Sequence, residues 1–168
     1  MRQIKVNSLI GSELISVDDV KLYAKIDTSV DDSLITNMIS QARIWCENYI
    51  SRDIISKNRT YYMDETNGLF DLPFAPVTSI SSVTSEDVAV SYSVVGLDNE
   101  TIELTNGSAF QVKVVYVTTG INDAMIKQAM LQFVAMLYDN RSDFVEKSIT
   151  EIPTNVKSLL TSYKSMFI

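Results

Sequence analysis

The feature that most constrains this chain is a 22-residue stretch, Ser29 to Ile50, whose apolar positions recur at three- and four-residue steps. Leu34, Ile35, Met38, Ile39, Ala42, Trp45, Cys46, Tyr49 and Ile50 fall on one face of a 3.6-residue period, so the segment reads as one amphipathic helix. Ser29 is expected to cap its first turn, with Asp32 at the capping-box position and Asp31 at the positive end of the dipole. At 1.5 Å per residue such a helix spans roughly 33 Å, the width of a small domain. Ile44 breaks the pattern, because it falls among Asn37, Gln41, Arg43 and Asn48 on the opposite face.

A helix of that length needs partners to cover its apolar face, and the sequence supplies them on both sides. Upstream, after a short N-terminal arm, Ser16 and Asp19 form a second capping box, and Val17, Val20, Tyr23 and Ala24 make one stripe of a short helix ending near Ile26. The link from Asp27 to Val30 is so tight that the two helices should pack as an antiparallel pair. Downstream, Asn122 or Asp123 caps a helix running to about Asn140, with Ile126, Met130, Phe133, Val134 and Leu137 as its main stripe. Only Gln128, Gln132 and Asp139 make a polar line on it. A helix apolar nearly all round must be covered on most sides, by its own chain or by another subunit. Pro153 marks a last helix start, with Val156, Leu159, Leu160 and Tyr163 on one face.

Between the helices the period changes from 3.6 to 2. Thr60 to Met63, Val88 to Val94, Ile102 to Leu104 and Phe110 to Tyr116 read as strands. Asn67-Gly68, Leu97 to Glu100 and Asn106-Gly107 carry turn chemistry between them. The expectation is an antiparallel sheet of five or six strands, with Leu72 to Val77 as an extended crossing or edge segment, since proline donates nothing to a ladder. The fold class is therefore α+β: a small bundle of three to four helices with an inserted antiparallel β-sheet subdomain. Residues 1–52 form an N-terminal helical part, 53–121 the β insertion, and 122–168 a C-terminal helical part that completes the bundle, one structural domain overall.

The chemistry of the side chains narrows function mainly by what is missing. There is no histidine, which removes the commonest general base and metal ligand together. The single cysteine, Cys46, lies in the apolar stripe and reads as a packing thiol; it can form no intrachain disulfide. The acidic pairs Asp18-Asp19 and Asp31-Asp32 belong to first turns of helices, and Asp64-Glu65 and Glu86-Asp87 to turns between strands. None has the spacing of a calcium loop, and the five glycines are scattered, with no phosphate-binding run. No metal or cofactor is expected. Tyr61, Tyr62, Tyr92 and Tyr116 lack the basic neighbours that base stacking requires, so they read as sheet packing. Arg141 suits the carbonyl end of the third helix.

Net charge is −7, and residues 53–121 carry three basic against nine acidic side chains. Nucleic acid binding needs clustered Lys and Arg, and no such cluster occurs. The N-terminus lacks the continuous apolar core of a signal peptide, and AMLQFVAMLY is too short to span a bilayer.

Four patches, in order, resemble the head-to-tail connector (adaptor) proteins of long-tailed bacteriophages. They are ISVDDVKLYAKID followed by DDSLITNMISQARIWCENYISRDI; LPFAPVTSISSV; VVYVTTG leading into AMIKQAMLQFVAMLYDNR; and IPTNVKSLLTSYK. The chain departs from the family at Ile50-Ser51-Arg52, where Thr-Gly-Arg is common, and at Ile121-Asn122-Asp123, where a proline often precedes the helix. The resemblance implies a virion protein made in the host cytoplasm, not an enzyme, that forms a homo-oligomeric ring of about twelve copies. Its partners would be the portal protein and neighbouring head-completion or tail proteins, with DNA passing through unbound by sequence and no membrane involved. Within that frame Ile44 is a candidate contact with the neighbouring subunit, and the apolar terminus with Tyr163, Met166, Phe167 and Ile168 a candidate dock for the portal. Two alternatives come from other classes: a small cytosolic hydrolase using carboxylates, which requires converging acids in a pocket, and a ligand-binding β module, which requires an exposed aromatic patch.

Overall fold

The computed structural model describes residues 1–140 and 154–165. Its elements in chain order are β1 (Arg2–Leu9), α1 (Val17–Ala24), α2 (Asp32–Ile50), β2 (Lys57–Thr66), β3 (Leu69–Asp71), β4 (Val77–Ser85), β5 (Val88–Ala89), β6 (Tyr92–Val95), β7 (Thr101–Leu104), β8 (Ala109–Thr118), α3 (Ala124–Asp139) and α4 (Thr154–Thr161). They form two compact units: residues 13–50 with 122–165 are helical, and residues 1–12 with 51–121 carry the strands. The α+β class, with the sheets entering between helices, is the one read from the sequence.

In the helical unit, α1 begins as its capping box dictates. The Ser16 hydroxyl accepts from the Asp19 N–H at 3.1 Å, and the Asp19 carboxylate accepts from the Ser16 N–H at 2.8 Å. Lys25 closes the helix in the left-handed region at φ 55°. The start of α2 differs from expectation. Residues 29–31 form a turn, with the Asp32 N–H on the Ser29 carbonyl at 3.3 Å, so Ser29 does not cap the helix. Asp31 precedes the helix instead, and its carboxylate accepts from the Tyr138 hydroxyl of α3 at 2.6 Å. Asp123 caps α3, its carboxylate accepting from the Met125 N–H at 2.7 Å. The all-apolar α3 is covered largely by its own chain, for it packs against α1, α2 and α4 and buries Ile126, Ala129, Met130, Phe133 and Val134. Trp45 of α2 stacks on Tyr49 at 5.1 Å and meets Phe133 edge-on at 5.2 Å. Helix α4 starts at Thr154 and buries Val156 and Leu160, while Pro153 and Arg141 lie outside the described residues.

The β unit holds eight strands in two sheets, where one sheet of five or six is expected. The first has the order β1-β2-β8-β4-β5 and the second β3-β7-β6, with every pair antiparallel. The difference has three sources. Residues 1–12, read as an arm of the helical part, supply a strand, because Gln3-Ile4-Lys5-Val6 alternates too briefly to stand out. Val77–Ser85 is rich in Ser and Thr and lacks a clear apolar alternation, yet it forms a nine-residue strand. The run from Val88 to Val94 is broken at Val90–Ser91, so its halves pair in different sheets. Tight turns allow this crowding: Gly68, at φ 102°, lies so near Gly107 that a Cβ would come within 2.7 Å of that backbone.

Inner faces of both sheets close one core, made of Tyr61 and Met63 from β2, Phe70 from β3, Val77 and Val83 from β4, Ile102 and Leu104 from β7, and Val112, Val114 and Tyr116 from β8. Tyr116 is fully buried, donates to the Pro73 carbonyl at 2.7 Å, and its hydroxyl is pushed well above the usual range by burial. Tyr61 and Tyr116 thus pack as the sequence suggests. Leu72–Val77 crosses between the sheets through a cis Ala75–Pro76 bond.

Candidate assembly surface

Two buried charge clusters set the interior of each unit and must be separated from surface chemistry first. In the helical unit Arg43 is 3% exposed, contrary to its place on the polar face of α2 in the sequence reading. Its Nε donates to both carboxylate oxygens of Glu13 at 3.0 and 2.9 Å, and Nη1 to Glu47 at 3.0 Å. Desolvation opposes its charge, but the two carboxylates outweigh it and the guanidinium pKa is raised. The residue turns inward because Glu13, thirty positions away, is brought to it by the fold. In the β unit Asp53 is fully buried and accepts two bonds from Arg59 at 2.8 and 2.6 Å, with Lys57 at 3.1 Å and the Thr118 hydroxyl at 2.6 Å. Arg59 also lies over the Phe74 ring at 3.8 Å. These groups are saturated by one another, which is the pattern of structural ion pairs.

Among the described residues no three of His, Cys, Asp and Glu approach closely enough to hold a metal, and no helix is long and apolar enough to cross a membrane. Cys46 is fully buried, and its thiol is pushed up to about 12 by burial and the neighbouring Glu47, so it packs and does not react. The β unit carries an open groove of about 390 Å³ bounded by Arg2, Ile4, Tyr61, Leu69, Phe70 and Asp71, with a single acid in it.

What the surface does offer is uncovered apolar side chains. Ile44 stands out of α2 at 51% exposure, flanked by exposed Asn37, Gln41 and Asn48. Leu34, expected on the buried face, is exposed on that same side. Tyr163 is half-buried, and its hydroxyl is hydrogen-bonded to the Asp123 carboxylate, which holds the tyrosine above and the aspartate below their ordinary values. Met166, Phe167 and Ile168 lie outside the described residues. The strands add exposed apolar residues to these candidates. All eight residues of β1 are exposed, Ile4, Val6 and Leu9 among them. Ile4 pairs opposite Tyr61 and Arg2 opposite Met63, so Arg2, Ile4 and Val6 share the face that elsewhere forms the core, yet all three stay exposed.

Bare apolar side chains of this kind mark a surface suited to contact with other proteins. Residues 13–166 match the family model for head completion protein. The chain belongs to the head completion protein family. Membership bears out the family resemblance carried by the four sequence patches. No curated protein matches it in sequence. Among solved structures, a chain in the neck of an empty GTA (gene transfer agent) particle computed with C6 symmetry has a TM-score of 0.76 at 15% identity, over 99% of this chain and 97% of that one. A chain in the neck of the native GTA particle computed with C12 symmetry has a TM-score of 0.74 at 16% identity, with the same coverage. A third, in the virion of the native particle, gives 0.73 at 14%. At these identities the likeness is one of fold, and it extends over the whole chain.

Proposed function

We propose that this head completion protein assembles as a ring of about twelve copies, closed by head-to-tail contacts between unlike patches. The ring sits between the portal and the tail, continues the DNA channel, and touches neighbouring head-completion or tail proteins without catalysing a reaction. The observation that carries this reading is the full-length likeness of fold to chains in necks computed with C6 and C12 symmetry. The acidic excess in residues 53–121 supports a wall that DNA passes without being gripped, since like charge repels the phosphates. Among the described residues the groove beside Tyr61 and Phe70 holds one acid, Asp71, which gives no support to the carboxylate hydrolase.

Mass measurement of purified particles tests the reading, with a ring-like copy number expected; absence from particles would sink it. The apolar terminus is the portal dock in this scheme. Deleting Met166 to Ile168, and leaving Tyr163 on Asp123, should block attachment to portal-bearing capsids while thermal unfolding of the isolated chain stays unchanged. Normal attachment would remove the terminus from the interface.

A further inference from the structure

We propose that β1 of one copy joins the open edge of β4 in the next copy, so that the larger sheet continues from subunit to subunit. This rests on the ring reading above and names the contact that closes it.

Strand β1 is bonded on one side to β2, and its outer edge has no strand partner among the described residues. A bare eight-residue edge with uncovered Ile4, Val6 and Leu9 is a surface that soluble proteins normally blunt or cover. Toward the other end of the same sheet, β4 is open along part of its outer side. The two-residue β5 pairs only with Thr84 and Ser85, Val90 N–H reaches the Val83 carbonyl at 3.1 Å, and Val77 N–H bonds to the Asp98 carbonyl at 2.9 Å. Between them Thr78 to Ser82 has no strand on its outer side, and carries neither charge nor proline to prevent pairing. A slot of about 180 Å³, lined in part by Ile80, Tyr92 and Val94, runs beside this stretch and suits an aliphatic side chain such as Val6.

Direction and charge agree. The strands β1, β2, β8 and β4 alternate in direction, so a neighbour related by a small rotation presents its β4 antiparallel to β1. That arrangement runs Arg2–Val6 along the open stretch Thr78–Ser82, with the Arg2 end pointing toward the β4–β5 turn that carries Glu86 and Asp87. Strand β1 carries Arg2 and Lys5 and no acid, whereas Glu86 is exposed, and Asp87 is held by Lys113 at 2.8 Å. Both edges are also bulged, at Asn7 and at Thr78 and Ser81, which discourages pairing with strands of the wrong shape. Two different edges on one copy give the unlike patches that a ring requires.

The test uses the full chain with Lys5→Cys and Ser79→Cys, residues that face each other when Arg2–Val6 pairs antiparallel with Thr78–Ser82; the native Cys46 is buried and silent. A short bis-maleimide added to assembled rings should give a ladder of covalent multimers, and neither single variant should give one. Rings without a ladder overturn the β1–β4 contact and leave the ring reading standing. Failure of the unaltered chain to form rings in solution and in particles overturns both. Independently, Arg2→Glu should lower ring yield several-fold and Glu86→Arg in the same chain should restore it; an unchanged yield of the single variant also counts against the contact.

Discussion

The two units treat apolar surface in opposite ways. In the helical unit α3 is apolar on nearly every side, and α1, α2 and α4 cover most of it. In the β unit the core is closed by the two sheets, yet β1 runs beyond it with its core-side residues bare. High hydrophobicity along a segment therefore did not mark the surface left for a partner; a short, mixed strand did. The difference arises from topology, since a central helix has neighbours on three sides whereas an edge strand has one.

The interior of the β unit offers the largest effect with which to probe this contrast. Asp53→Asn leaves the Arg59 guanidinium buried without the carboxylate it is paired with, and removing one partner of a buried ion pair costs roughly 3–5 kcal/mol. Urea unfolding of the purified chain should show that loss; a change under about 0.5 kcal/mol would mean that water reaches the cluster. Met130→Ala in α3 should follow at about 3 kcal/mol, the typical cost of a cavity in a fully covered site. A much smaller loss would indicate that α3 is not sealed by its own chain, and that the contrast between the units is weaker than drawn.

A smaller effect comes from the start of α1. Ser16→Ala should cost about 1 kcal/mol by freeing the Asp19 N–H and the carboxylate it holds. The bonds from Ser16 depress the Asp19 pKa below its ordinary 3.8, so ionised Asp19 binds more tightly in the folded chain. Its contribution is fully present above pH 3.8 and is lost as pH falls through the lower folded value. The difference in stability between parent and Ser16→Ala should narrow across that acid window, and a constant difference would assign the effect to helix propensity alone.

That capping box was legible because all its parts lie within four residues, as were the stripes of α2 and α3 and the turn at Asn67-Gly68. The burial of Arg43 was not, because its partner Glu13 is far along the chain and a polar residue on a helix reads as solvated until the fold supplies the carboxylate. Strands β1 and β4 escaped for a different reason. The side chains of β1 are all exposed and the alternation of β4 is interrupted by two bulges, so the period that reveals a strand is faint. Of the candidate contacts, Ile44 was legible as a break in a period, whereas Ile4 and Val6 became visible only once Tyr61 and Met63 opposite them were seen to face the core.

Ile44 gives the smallest effect on the isolated chain and the sharpest on assembly. At 51% exposure its side chain loses little on substitution, so Ile44→Asp should change monomer stability by no more than about 0.5 kcal/mol. The mid-helix position leaves the dipole nearly indifferent to the new charge, which acts only within the first and last turns. In a ring, however, an aspartate pressed against a neighbour must be desolvated without a partner, and ring yield measured by light scattering should fall. Equal fall with Val6→Asp would show that both units contribute to the contact between copies. A loss confined to Val6→Asp would return Ile44 to an ordinary exposed isoleucine and leave the bare strand as the surface that distinguishes this chain's two halves.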